Sequence, residues 1–187
     1  MYHYIGELWN KPSRELLHEK LIQWRAGEAV VRVDKPLRLD RARALGYKAK
    51  KGFIILRVRV IRGGRRRKRH GVKGRKSRKQ TIKKILKMNY QWVAEIRAAR
   101  KYEDLEVLNS YWVGKEGKYY FYEVIMVNPE RAEIKNDPVL KWITNKANRK
   151  RAERGLTSAA RKSRGLRSKS HNMKVRPSLR AWERQGK

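Results

Sequence analysis

The chain of 187 residues contains no cysteine. A disulfide framework, a zinc ribbon and a Cys-ligated cluster are therefore excluded, and with them the commonest metal-stapled nucleic-acid modules. Long apolar runs are missing too. None exceeds four residues, as at Phe53 to Leu56, so no stretch reads as a helical membrane span and the N-terminus does not read as a secretory signal. The expectation is a soluble intracellular protein. Acids are absent from Arg41 to Ala94, a stretch with 21 basic residues, so a carboxylate metal site would draw its ligands mainly from 95 to 137. The tightest acidic cluster there, Glu103, Asp104 and Glu106, is equally explained by a helix-to-strand junction. The four histidines, His3, His18, His70 and His171, are scattered. Only Glu15 and His18 have a spacing used by helical metal sites, and the second copy such sites need is missing. His18 is read as a helix-surface residue. The glycines at 63, 64, 71 and 74 lack the spacing of a P-loop or a dinucleotide fingerprint. The expectation is no enzyme, no metal, no cofactor and no small-molecule substrate.

What is abundant is positive charge. Lys and Arg number 51 against 17 Asp and Glu, a formal net charge of +34, which a compact domain would carry only to meet a polyanion. Apolar residues still make up 40%, with six Trp and nine Tyr, enough for a core. The charge is segregated. Residues 1–40 hold 7 basic and 6 acidic side chains and residues 95–137 hold 7 and 9, whereas 149–187 hold 14 and 2. This patterning divides the chain into a globular core over 1–148, interrupted by a basic loop at 62–80, and a basic extension over 149–187.

Local patterns supply the core elements. Ser13, with Glu15 in the following turn and Leu17, Leu21 and Trp24 at helical spacing, predicts a helix from about 13 to 26, ended near Gly27. Val30 to Val33 reads as a short extended piece, and the segment after Pro36 as loop. Phe53 to Ile61 is a strand, with Leu56, Val58 and Val60 alternating against Arg57 and Arg59. Helical spacing at Ile82, Ile85, Leu86, Trp92, Ile96 and Ala99 predicts one or two helices over 81–102. Leu105–Val113 and Tyr119–Val127, joined by Gly114-Lys115-Glu116-Gly117, form the clearest hairpin. Asp137-Pro138 opens a short helix over 139–146, and beyond Asn148 the chain has at most one more, near 158–164. The fold class is α/β (α+β), a small mixed or antiparallel sheet with packed helices and long basic extensions.

Three blocks, LGYKAKKGF at 45–53 followed by a strand and RGGRRR, VLNSYWVG at 107–114, and RGLTSAARKSRGLRSKSH at 154–171, resemble the archaeal and eukaryotic large-subunit ribosomal protein family fifteen-e. The resemblance extends from Tyr4–Trp9 to the basic tail. It implies a structural constituent of the large ribosomal subunit, located in the cytoplasm, with large-subunit ribosomal RNA and neighbouring ribosomal proteins as partners and no membrane. A DNA-compacting chromatin protein is the alternative, and an RNA-processing enzyme a third class.

The candidate RNA-binding residues follow the charge. Arg62–Lys79 has 11 basic residues in 18. There Gly63 and Gly64 permit close approach, and Arg65, Arg66, Arg67, Lys68, Arg69, Lys73, Arg75, Lys76, Arg78 and Lys79 with Arg62 supply cations for phosphates. With Val72 its only sizeable apolar residue, this segment is expected to be disordered until RNA orders it. In the tail, Arg154, Arg161, Lys162, Arg164, Arg167 and Lys169 play the same part, interleaved with serines. Tyr47, beside Lys48, Lys50 and Lys51, either stacks on an unpaired base or covers the end of the sheet. Trp182 anchors the tail against RNA or a neighbouring protein. The aromatics of the hairpin are read as core rather than as an RNA platform.

Overall fold

The computed structural model describes residues 2–10, 12–68, 81–84, 86 and 88–167. In chain order the elements are α1 (Tyr2–Asn10), α2 (Arg14–Ala26), β1 (Val30–Val33), α3 (Leu39–Ala44), β2 (Phe53–Ile61), β3 (Arg65–Lys68) and β4 (Thr81–Lys84). They continue with α4 (Tyr90–Lys101), β5 (Glu106–Lys115), β6 (Tyr119–Val127), α5 (Ala132–Lys135), two 3-10 turns (Lys141–Thr144 and Lys146–Asn148) and α6 (Ser158–Ser163). The fold is a mixed α/β class built on an antiparallel four-stranded sheet in the order β1-β2-β6-β5.

Strand β6 is central and buried on both faces, which is why its sequence, YYFYEVIMV, is apolar almost throughout rather than alternating. Phe121, Ile125 and Val127 point to one side, where Trp24 of α2, Ala42 of α3, Ile134 of α5 and Ile143 of the first 3-10 turn meet them. Tyr122, Val124 and Met126 point to the other, against Leu56, Val58 and Val60 of β2 and Ala94 and Ala98 of α4. Alanines on α4 let that helix lie close to the sheet. Each large apolar side chain buried in this way stabilises the fold by about 1.5–3 kcal/mol. The cationic face of β2 belongs to the fold as well. The Arg57 guanidinium lies 4.7 Å from the Trp24 ring centre, and Arg59 lies 4.8 Å from that of Tyr119.

Four expectations change. Residues 81–102 are not helical throughout: Thr81–Lys84 is a strand paired with Arg65–Lys68, and helix begins only at Tyr90, where the Asn89 side chain accepts from Trp92 N at 2.7 Å. The partner strand, Arg65–Lys68, takes up the first part of the segment read as a basic loop, and backbone pairing across β3 and β4 satisfies groups that apolar burial does not. Residues 39–44, read as loop, form a helix, and the stretch read as a helix over 139–146 instead holds the 3-10 turns Lys141–Thr144 and Lys146–Asn148.

The fourth concerns the boundary at 148. Residues 149–167 pack on the body: Ala152, Thr157, Ala159 and Ala160 are buried, and Ala152 belongs to the cluster between sheet and α4. The Trp92 ring nitrogen donates to Ala152 O at 2.7 Å, and the Asn89 amide donates to Ala159 O at 2.9 Å. At Gly155 (φ +73°) an added Cβ would lie 2.9 Å from Arg164 Cδ. The packed body thus extends at least to the end of α6, and its small residues are what charge counting overlooks.

Candidate nucleic-acid interface

Where β2 leaves the sheet, Gly63 takes φ +96°, a left-handed conformation that favours glycine, and its N–H donates to the Tyr90 hydroxyl at 2.7 Å. Its neighbour Arg62 lies 5.0 Å from the Tyr120 ring centre and donates to Glu116 O at 2.8 Å. Arg62 and Gly63 therefore turn the chain out of the sheet and into the two-stranded ribbon of β3 and β4. The backbone of Gly64, Arg65, Arg66, Arg67 and Lys68 follows this path with Arg65 opposite Lys84 and Lys68 opposite Thr81. Arg69, Lys73, Arg75, Lys76, Arg78 and Lys79 lie outside the described residues, as do Lys169 and Trp182.

Tyr47 is partly buried against the core, edge-on to Phe53 with ring centres 5.7 Å apart. Of the two readings for Tyr47, the described packing is that of a cover on the sheet's end. Lys50 and Lys48 converge on Asp137 Oδ2 at 2.6 and 2.9 Å, and the other carboxylate oxygen accepts from Val139 N at 2.9 Å. Lys51 is exposed. Hydrogen bonds from Lys50 and then Lys48 hold the Asp137 carboxyl well below the usual carboxylate range. A lowered native pKa contributes stability that is complete above the unfolded value, near 4, and is lost as pH falls below it. Asp137→Asn should therefore lower the urea midpoint at pH 7, and the gap to the unaltered protein should close as the pH is taken below about 4.

Arg161, Lys162 and Arg167 are exposed on α6 and the turn after it. Arg164 is half-buried, and its guanidinium donates to Gly155 O at 3.1 Å. Arg154 donates to Arg149 O at 3.0 Å and to Ala147 O, and it lines a concavity with Glu103, Asp104, Glu106, Glu130 and Glu153. The structure thus brings Lys48, Arg161 and Arg167 to the rim of one groove of about 720 Å³, and sets Arg154 apart among carboxylates. Arg151, which sequence reasoning passed over, donates to Val107 O at 2.6 Å and Leu108 O at 2.8 Å, with its guanidinium 4.8 Å from the Trp142 ring centre. No local signal distinguishes it from its basic neighbours.

Two buried acids belong to the scaffold. Glu95 accepts from the Ser110 and Thr157 hydroxyls, both at 2.5 Å, so it joins α4, β5 and the segment before α6. Burial pushes its carboxyl up, opposed by those hydrogen bonds and by Arg151. Glu123 accepts from the Tyr111 hydroxyl at 2.5 Å and from Leu37 N at 3.0 Å, and its pKa is raised by burial as well. The Tyr122 hydroxyl is pushed up to about 12, chiefly by burial. Among the described residues no group of three His, Cys, Asp or Glu is arranged to hold a metal ion, and no helix is long and apolar enough to cross a membrane.

Comparison with known proteins gives this arrangement a family. The sequence profile of the L15e family, described as Ribosomal L15, matches residues 1–182. The large ribosomal subunit protein eL15 of Methanocella arvoryzae (strain DSM 22066 / NBRC 105507 / MRE50) is 49% identical over 192 residues, covering 100% of this chain and 97% of that protein. Matched over nearly its whole length, with the ribbon and the α6 segment both inside the matched range, the chain belongs to the L15e family of ribosomal proteins.

Proposed function

We propose that the protein binds large-subunit ribosomal RNA through the β3–β4 ribbon and its connecting residues, the exposed cations of α6 and the basic C-terminal residues, and so stabilises the packing of RNA helices. Its family makes it a structural constituent of the large ribosomal subunit, in the cytoplasm, and the family is a non-enzymatic one. The observation that carries the finer reading is segregation of charge. Residues 1–40 and 95–137 carry nearly as many acids as bases, with Glu95, Glu106 and Glu123 buried, while 41–94 holds 21 cations and no acid, only some of which, such as Arg57, Lys48 and Lys50, have partners in the fold. Such a surplus is stable only where phosphate neutralises it. Neighbouring ribosomal proteins are the further partners.

The native protein should cofractionate with large subunits on sedimentation. The isolated protein should bind ribosomal RNA with a log–log salt slope near −9 if about ten phosphates are neutralised. An affinity that barely changes between about 50 and 200 mM salt would remove the electrostatic account. Preference for duplex DNA over ribosomal RNA in direct competition would favour the chromatin alternative.

A further inference from the structure

The groove that gathers Lys48, Arg161 and Arg167 is unlike a surface made for phosphate alone. Its floor and walls are apolar, with Leu45, Leu108, Leu140 and Leu166 among them, and three further side chains stay open to solvent: Val139 at 65%, Trp142 at 42% and Leu156 at 39%. Its volume of about 720 Å³ lies within the roughly 300 to 1,000 Å³ typical of sites for small organic groups. The rim is cationic, and among the described residues no carboxylate lines the groove. Lys48 shares Asp137 with Lys50, so that trio keeps one net positive charge. Arg151 beneath Trp142 is held by two backbone carbonyls, which fixes the indole's support.

We propose that this groove receives one unpaired nucleotide of RNA, its base against Trp142 and the leucines and its flanking phosphates on Arg161, Arg167 and Lys48. The inference rests on the RNA-binding reading above and names the form of RNA. A duplex offers only phosphates and groove edges, which leave an open aromatic and aliphatic surface unmet. A splayed-out base brings the flat apolar face that such a surface stacks upon. Charge also selects the occupant: residues 168–187, which continue from the rim at Arg167, carry six basic residues and one acid, the same sign as the rim.

The test uses the full chain and two RNA hairpins of one sequence, with and without a single bulged 2-aminopurine. The unaltered protein should prefer the bulged hairpin by about 10-fold and quench the 2-aminopurine fluorescence. Trp142→Ala should abolish both the preference and the quenching while leaving the affinity for the plain hairpin unchanged. Val139→Glu puts a carboxylate at an exposed position, so folding is not at stake, and it should act on the bulged hairpin in the same way. Equal affinity for the two hairpins with a silent probe would overturn the proposal, while steep salt dependence would leave the broader reading standing. Quenching seen only after Trp182→Ala would assign the groove to the chain's own C-terminal residues and also overturn it. Failure of both hairpins to bind at low salt would remove the broader reading as well.

Discussion

Glu95→Ala should cost the fold about 3 to 5 kcal/mol, the range for removing one partner from a buried charged network. Glu95 is fully buried in α4 and receives one hydroxyl from Ser110 of β5 and one from Thr157, just before α6. Its loss leaves both hydroxyls without an acceptor in an apolar setting, and it removes the carboxylate that offsets the half-buried Arg151. Because Thr157 also accepts from Ala160 N at 3.3 Å at the start of α6, the damage should concentrate in residues 149–167. Urea denaturation measures the cost, and amide hydrogen exchange should show that segment opening first. Glu95→Gln is the discriminating control. A group whose native pKa is raised contributes stability that is complete below the unfolded value, near 4.3, and is lost as pH rises through the native one. The Gln variant should therefore compare more favourably with the unaltered protein at pH 7 than at pH 4. A Glu95→Ala variant as stable as the parent would mean that residues 149–167 are not held through this carboxylate.

The same network shows what one sequence can and cannot reveal. The β5–β6 hairpin was legible because its signal is local: apolar, aromatic-rich strands around a glycine-bounded turn. Helix α2 was legible for the same reason. The 81–86 stretch misled because Ile82, Ile85 and Leu86 have helical spacing, while the pairing of Thr81 with Lys68 that decides the matter depends on a partner elsewhere in the chain. The C-terminal segment was assigned wholly to an extension because it docks through Ala152, Ala159, Ala160 and Gly155, residues too small to register as an apolar face. At the candidate interface, a run of basic residues marks a region but not the separate duties within it. Lys48 and Lys50 meet an acid 87 to 89 positions away, Arg164 props a glycine, and Arg161 beside them stays exposed.

That division of duties determines which cations to remove. Changing Arg161, Lys162 and Arg167 to Ala, with Arg164 kept because its guanidinium holds Gly155 O, should leave the denaturation midpoint unchanged. If each of the three neutralises one phosphate, the log–log salt slope should become shallower by about 2 to 3, since each contact contributes roughly 0.7 to 0.9. A second variant, Arg65, Arg66 and Arg67→Ala, removes the same charge from the ribbon strand that leaves the sheet at Gly63 and should change the slope by a similar amount. The two sets sit on separate elements, β3 and α6 with the turn after it, so independent contacts should add and the combined variant should lose the sum, about 4 to 5 in slope. Fluorescence anisotropy with ribosomal RNA across a salt series reads all three. Unchanged slopes in both triple variants would show that neither segment meets phosphate. A combined loss no larger than a single one would show that the two compete for one stretch of RNA instead of holding two.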